Sequence, residues 1–286
     1  MIDTGHREEA FVQVPLVQID AFADALFEGN PAAVVPVPAW PADELLQRVA
    51  AENNLSETAF LVEDVPSAPP VRNPARPAYH LRWFTPAIEV ELCGHATMAA
   101  ASYLFDDVHP EAETVQFFTR SGWLTVTRSP DGVQTMDFPS EHPRSTEVDP
   151  TVARALGVPV AEAFRATDLI YVVDDPQTVV DLTPDLAVLS ALPVRGIVVT
   201  APGTGTGYDF VSRWFGARAG VPEDPVTGSA HCQLAPLWAA RLDRTDLVAR
   251  QVSKRGGTLR IRLDGERVLL SGRCVRFFEG IARLPL

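Results

Sequence analysis

An α+β architecture of two similar halves follows from three features of this 286-residue chain. Strand-like runs dominate and hairpin turns join them, a pattern of antiparallel or mixed sheets rather than of a doubly wound parallel one. Each half carries one central helix of small residues that opens on glycine. The two openings, Gly94-His95-Ala96-Thr97 and Gly228-Ser229-Ala230-His231, lie 228 − 94 = 134 residues apart, the mark of a weak internal duplication.

The elements have local reasons. Residues 1–12 read as a loosely held tail, and residues 16–22 alternate apolar and polar before the turn-rich DALFEGNP. A second strand spans 32–37. Pro41-Ala42-Asp43 then opens a helix whose Leu45, Leu46, Val49 and Ala50 recur at helical spacing, ending near Asn53-Asn54. Strands at 57–62 and 79–84 flank VPSAPPVRNPARPA, an exposed loop with five prolines. The first small-residue helix starts near Ala96, and its small side chains let neighbours approach from many sides. Runs at 114–119, 122–127 and 132–138 form an antiparallel meander.

The second half repeats this plan, with strands at 169–173, 195–200 and 208–215, the helix GSAHCQLAPLWAARL, and strands at 247–253, 258–263, 267–270 and 274–281. The division this suggests is residues 1–130, completed by a last strand at 274–286, and residues 131–273. The glycine-rich GTGTG at 203–207 lies between two strands, so it reads as a hairpin loop and not as a dinucleotide fingerprint.

Composition excludes several classes of function. With 37 acidic against 24 basic residues the net charge is −13, and no basic footprint for nucleic acid is visible. No apolar run approaches the length of about 20 residues needed to span a bilayer. The start, MIDTGHREEAF, lacks the basic and apolar regions of a signal peptide, so a cytoplasmic location is expected. Cys93, Cys232 and Cys274 are odd in number and far apart, and no histidine pair has metal-ligand spacing, so neither disulfides nor a metal site are expected. Lys254 is the sole lysine and sits beside Arg255, a poor setting for a Schiff base.

Three segments hold polar residues that a core does not need: NLSETAF at 54–60, LCGHAT at 92–97, and PEDPVTGSAH at 222–231. Two of them are entrances to the small-residue helices. Helix N-termini offer free N–H groups and attract a carboxylate, by about 0.3–1 kcal/mol when exposed and ~2 when partly buried. Two such ends facing one cleft would hold a small anion without any basic surface. Spacing alone leaves each residue open. Glu57 is a solvated strand-edge glutamate or a general acid/base. His95 is a packing or capping histidine, or one that handles protons. Asp224 and Ser229 serve as turn or cap residues on spacing alone. Cys93 is a buried small hydrophobe or a thiol activated at a helix entrance. No G-x-S-x-G elbow is present.

Taken together, GNPAAV, NLSETAF, RWFTPAIEVELCGHAT, YDFVSRWF, EDPVTGSAH and QVSKRGG, in that order from residue 29 to 257, resemble the phenazine-biosynthesis isomerase-like (PhzF-like) family of the diaminopimelate epimerase fold superfamily. The resemblance implies two similar domains, each a sheet rolled around a central helix, a site between them, and a homodimer. It implies an isomerase that needs no metal or organic cofactor and moves a proton on a small carboxylate-bearing amino or hydroxy acid. By motif match Glu57 is the proton carrier, His95 and Asp224 assist it, and Gly94, Gly228 and Ser229 bind the substrate, with Ser56 and Asn30 as secondary contacts. Racemases of the superfamily use a cysteine at each helix entrance. This sequence has Cys93 at the first and Val226-Thr227-Gly228-Ser229 at the second, so single-base transfer by Glu57 fits better than a two-thiol mechanism. An epimerase or dehydratase using Cys93, and a non-catalytic ligand- or partner-binding protein, are the alternatives.

Overall fold

The computed structural model describes residues 11–63, 73–216 and 221–285. Its first elements are β1 (Phe11–Ala21), β2 (Asn30–Pro36), α1 (Asp43–Asn53), β3 (Glu57–Val62), β4 (Ala78–Phe84), β5 (Glu89–Val90), α2 (Gly94–Tyr103), β6 (Thr114–Thr119), β7 (Gly122–Arg128) and β8 (Gln134–Pro139). There follow β9 (Arg144–Thr146), α3 (Pro150–Leu156), β10 (Glu162–Arg165), β11 (Leu169–Val172), α4 (Pro176–Val180), α5 (Leu186–Ser190), β12 (Ile197–Pro202), β13 (Phe210–Gly216) and β14 (Val221–Asp224). The chain closes with α6 (Gly228–Leu242), β15 (Asp246–Gln251), β16 (Gly257–Asp264), β17 (Arg267–Gly272) and β18 (Cys274–Pro285).

Strand pairing repeats itself. One series runs β18-β1-β2-β3-β4-β6-β7-β8, and a second runs β9-β10-β11-β12-β13-β15-β16-β17. In each series the third and fifth steps are parallel and the rest antiparallel, and β8 pairs with β17 to join the two. Parallel neighbours need a long crossover, and the helices lie at those steps: α1 and α2 in the first series, α4 with α5, and α6, in the second. The sheet is therefore mixed.

Helix α2 is surrounded, with every residue from His95 to Ser102 buried. Its alanines leave room for β1, β2 and β3 to come close, and one apolar core takes in both α2 and α6. Two further clusters lie outside it, one under α1 and one under α3–α5.

Several expectations need correction. Phe11 and Val12 are no tail, because they begin β1 opposite Pro285 and Leu284. Residues 1–10 and most of the five-proline loop lie outside the described residues. The short elements β9, β10, β14 and α3–α5 were not expected. The three helices rely on capping rather than periodicity, since the side chains of Asp149, Asp175 and Asp185 each accept from a backbone N–H of the first turn. The GTGTG segment does link antiparallel β12 and β13. No described helix is long and apolar enough to cross a membrane.

Candidate active site

Local structure brings the three polar segments to one place. Helix α1 ends at Asn54 in the left-handed conformation (φ 49°), which turns the chain so that Glu57 starts β3 beside Ala32 of β2. Gly29 (φ +71°) precedes Asn30, and a Cβ there would lie 2.3 Å from the Ala21 carbonyl oxygen, so only glycine admits this turn. Arg255 donates to the carbonyls of Glu28 and Gly29 and fastens the same loop. Cys93 and Gly94 open α2, and Thr227 and Gly228 open α6.

A cavity of about 590 Å³ lies between these entrances. Glu57, Cys93, Gly94 and His95 line it on the α2 side, and Asp224, Gly228, Ser229 and Cys232 on the α6 side. Val90, Leu92 and Phe138 add apolar wall. Ser56 is half-buried beside Glu57 and is not among the lining residues, and Asn30 is fully buried behind the wall.

Within the wall, His95 Nε2 lies 3.0 Å from Glu57 Oε2. That oxygen is buried, with the imidazole as its near neighbour. On the other edge of the ring, Nδ1 is 3.2 Å from Asn30 Nδ2 and 3.5 Å from Cys93 Sγ. The Asn30 amide has two hydrogens, and it donates to Asp224 Oδ1 at 2.8 Å and to the Val226 carbonyl at 2.9 Å. None remains for His95, so a hydrogen on its Nδ1 would point toward the sulfur. Thr227 Oγ1 donates to Asp224 Oδ2 at 2.5 Å. Gln251 completes the network, accepting from Thr227 N and donating to the Asp224 carbonyl.

Electrostatics follow this inventory. Burial opposes charge on His95, but Cys93 and Glu57 outweigh it and raise its pKa well above the usual value. The Cys93 thiol is itself pushed up to about 11, by burial and then by Glu57, so near neutrality it is uncharged and Glu57 is the imidazolium's partner. Enclosure pushes Asp224 up to about 6, with His95 opposing the rise and Glu57 adding to it. Cys232 is pushed up to about 12 by burial and then by Glu141. Both cavity thiols are thus held protonated, unfavourable for a thiolate base. Ligand atoms of Glu57, Cys93 and His95 lie within 4.8 Å of one another, a grouping that could hold a metal ion only after the thiol lost its proton and the imidazole left its carboxylate.

The sequence reading missed Thr227, Gln251, Cys232 and Arg195. Thr227 and Cys232 sit in or beside a noted motif, but only the fold shows which way they face. Gln251 and Arg195 reach the site from 27 and 34 residues away, and no local pattern marks them.

A mixed sheet folded around two helices, with a carboxylate and an imidazole in the cavity between their entrances, defines a protein of the epimerase-like fold class. A family model for phenazine biosynthesis-like proteins matches residues 19–280. The chain belongs to that family. An uncharacterized isomerase of Pseudomonas aeruginosa is 46% identical over 96% of this chain and 100% of its own length. The mouse phenazine biosynthesis-like domain-containing protein 1 is 37% identical, over 94% of this chain and 99% of its own. A crystal structure of a PhzF-family protein from Enterococcus faecalis matches with a TM-score of 0.87 and 42% identity, covering 95% of this chain and 99% of that one. A hydroxyproline epimerase from Agrobacterium vitis, at 12% identity and a TM-score of 0.60 over 96% of this chain and 93% of that one, shares the fold.

Proposed function

We propose that this protein is an isomerase that moves a proton on a small carboxylate-bearing amino or hydroxy acid, with Glu57 as general acid/base. The observation that carries the reading is the Glu57–His95 pair, 3.0 Å apart in the cavity wall between two helix entrances. The names of its relatives support isomerase chemistry.

In this reading the substrate carboxylate lies against the N–H groups at Gly94 and Gly228–Ser229, residues that line the cavity at the positive ends of two helices. That leaves an acidic C–H within reach of Glu57. The carboxylate removes the proton and returns it to another carbon, or to the other face of the same one. The His95 imidazolium stabilises Glu57 while it is charged, and yields as Glu57 becomes neutral. Asp224 accepts hydrogen bonds on both oxygens, so it acts mainly by fixing Asn30 and Thr227 around the ring. No metal or organic cofactor enters the cycle.

The fitting experiment is proton NMR in D₂O with a panel of cyclic and acyclic amino and hydroxy acids, the phenazine precursor included. Deuterium uptake or isomerisation that depends on Glu57 supports the reading. Binding of a compound with no exchange would make the protein a ligand-binding relative instead.

The reading includes a homodimer. Phe277, Phe278 and Ile281 on β18 are exposed, and the strand pairs only with β1 among the described residues. An apolar strand with one open edge is a surface that a second copy can cover.

A further inference from the structure

On the α6 side of the cavity stands a cation that the proton-transfer chemistry does not use. Arg195 lines the cavity with its side chain 40% exposed, although its partner Asp168 is 0% exposed. The guanidinium donates from Nε to Asp168 Oδ1 at 2.8 Å and from Nη2 to Oδ2 at 2.5 Å, and from Nη1 to Ser229 Oγ at 3.0 Å. Trp214 Nε1 and Gln233 Nε2 also donate to Asp168 Oδ2, at 3.1 and 2.9 Å. The Trp214 ring lies under the guanidinium, 5.9 Å away, in a slot that needs glycine at 196 and 216, where a Cβ would come within 2.4 and 2.2 Å of the indole.

This is an expensive way to hold one arginine. A carboxylate buried completely costs several kcal/mol unless it is fully paired, and here Trp214 and Gln233 join two N–H groups of the guanidinium on Asp168, which fixes the guanidinium's plane and direction. Five N–H groups belong to a guanidinium and three are committed, so among the described residues two remain, one on each terminal nitrogen. Glu141 shares the rim, but its Oε1 accepts from Thr167 N and Oγ1, and no ion pair joins it to Arg195.

We propose that Arg195 is a specificity-determining residue whose two uncommitted N–H groups receive a second carboxylate of the substrate. The substrate class is then narrowed to dicarboxylic amino or hydroxy acids: one carboxylate at the helix entrances, the reacting carbon near Glu57, the other carboxylate at Arg195. A planar fork fixed in direction suits a carboxylate better than a hydroxyl or an amide. The proposal rests on the reading that this cavity takes small carboxylic acids, but not on Glu57 being the base.

The test is calorimetric binding of two matched pairs, glutamate against glutamine and succinate against succinamate, to the wild type, Arg195→Lys and the double variant Asp168→Asn/Arg195→Gln. The double variant avoids leaving Asp168 buried without its cation, and its melting temperature reports whether it folds. The wild type is expected to prefer the dicarboxylate of a pair by roughly tenfold or more, as for a hydrogen bond between charged groups. A folded double variant should lose that preference, while Arg195→Lys keeps part of it. Should the double variant not fold, loss of at least half the preference in Arg195→Lys, on a free-energy scale, is the deciding result. A wild type that binds both members of each pair equally, or binds neither, overturns the proposal, as does a preference that survives the substitutions. Failure of the proton-transfer reading looks different: the preference persists and no deuterium enters any compound.

Discussion

Glu57 and His95 meet at 3.0 Å in the cavity wall, and Asn30 stands behind the ring with both amide hydrogens already committed to Asp224 and Val226. The raised His95 pKa makes this an imidazolium facing a carboxylate. The charge on His95 belongs to the pair, and each member is a probe of the other.

In Glu57→Gln the His95 pKa is expected to fall, because burial then acts against Cys93 alone, and that thiol is uncharged near neutrality. A nitrogen-detected NMR titration of the imidazole reads this directly. A pKa that stays high in this variant and drops in Cys93→Ala would assign the charge to the thiol instead.

Asn30→Ala leaves Asp224 Oδ1 and the Val226 carbonyl without their donor in a buried place. The expected cost is about 1–3 kcal/mol of unfolding free energy, measured by urea denaturation. Activity should fall as well, since the α6 entrance loses its tie to β2. Unchanged stability would show that the amide is not the bracket described above.

Acid should act on two buried groups with opposite sign. His231 is held near a pKa of about 4 by burial, against 6.5 in an unfolded chain, so its contribution is lost as pH falls from 6.5 to 4. Asp224, raised from 3.8 to about 6, contributes stability that is full below its unfolded pKa and is lost as pH rises toward 6. Each amounts to ~3 kcal/mol at one pKa unit per 1.36 kcal/mol. On acidification from pH 6.5 to 4, Asp224→Asn should therefore lose about 3 kcal/mol more stability than the wild type, because it lacks the compensating gain at Asp224. Parallel pH profiles for the two proteins would contradict the assignment for Asp224.

A charge placed on the exposed face of β18 tests the dimer. Ile281 is 65% exposed, so Ile281→Asp should leave the monomer's fold intact while light scattering reports half the mass of the wild type. A wild type that is already monomeric at micromolar concentration removes the dimer from the account.

Much of the fold was legible because the signals were local and repeated. The meander at β6–β8, the start of β3 at Glu57 and the helix α1 follow from alternation and helical spacing, and the two glycine-opened helices announced the duplication. What stayed hidden depended on partners far away. The crossovers that make β2–β3 and β11–β12 parallel have no mark in either strand, and α3–α5 are too short for periodicity to register. In the site, the motif residues Glu57, Cys93 and His95 could be listed from sequence, but the direction of each side chain could not. Asn30 shows the limit: the motif match makes it a secondary contact to substrate, whereas the fold buries it and uses both its hydrogens to join β2 to the α6 entrance.

The most direct measurement is solvent deuterium incorporation into a turned-over substrate, followed by NMR in parallel for the wild type, Glu57→Gln and Cys93→Ser. With Glu57 as the proton carrier, Glu57→Gln should lose roughly 10²- to 10⁴-fold in exchange rate at near-unchanged affinity, and Cys93→Ser should stay within about tenfold of the wild type. Exchange that survives in Glu57→Gln and disappears in Cys93→Ser would contradict the account and make the thiol the base.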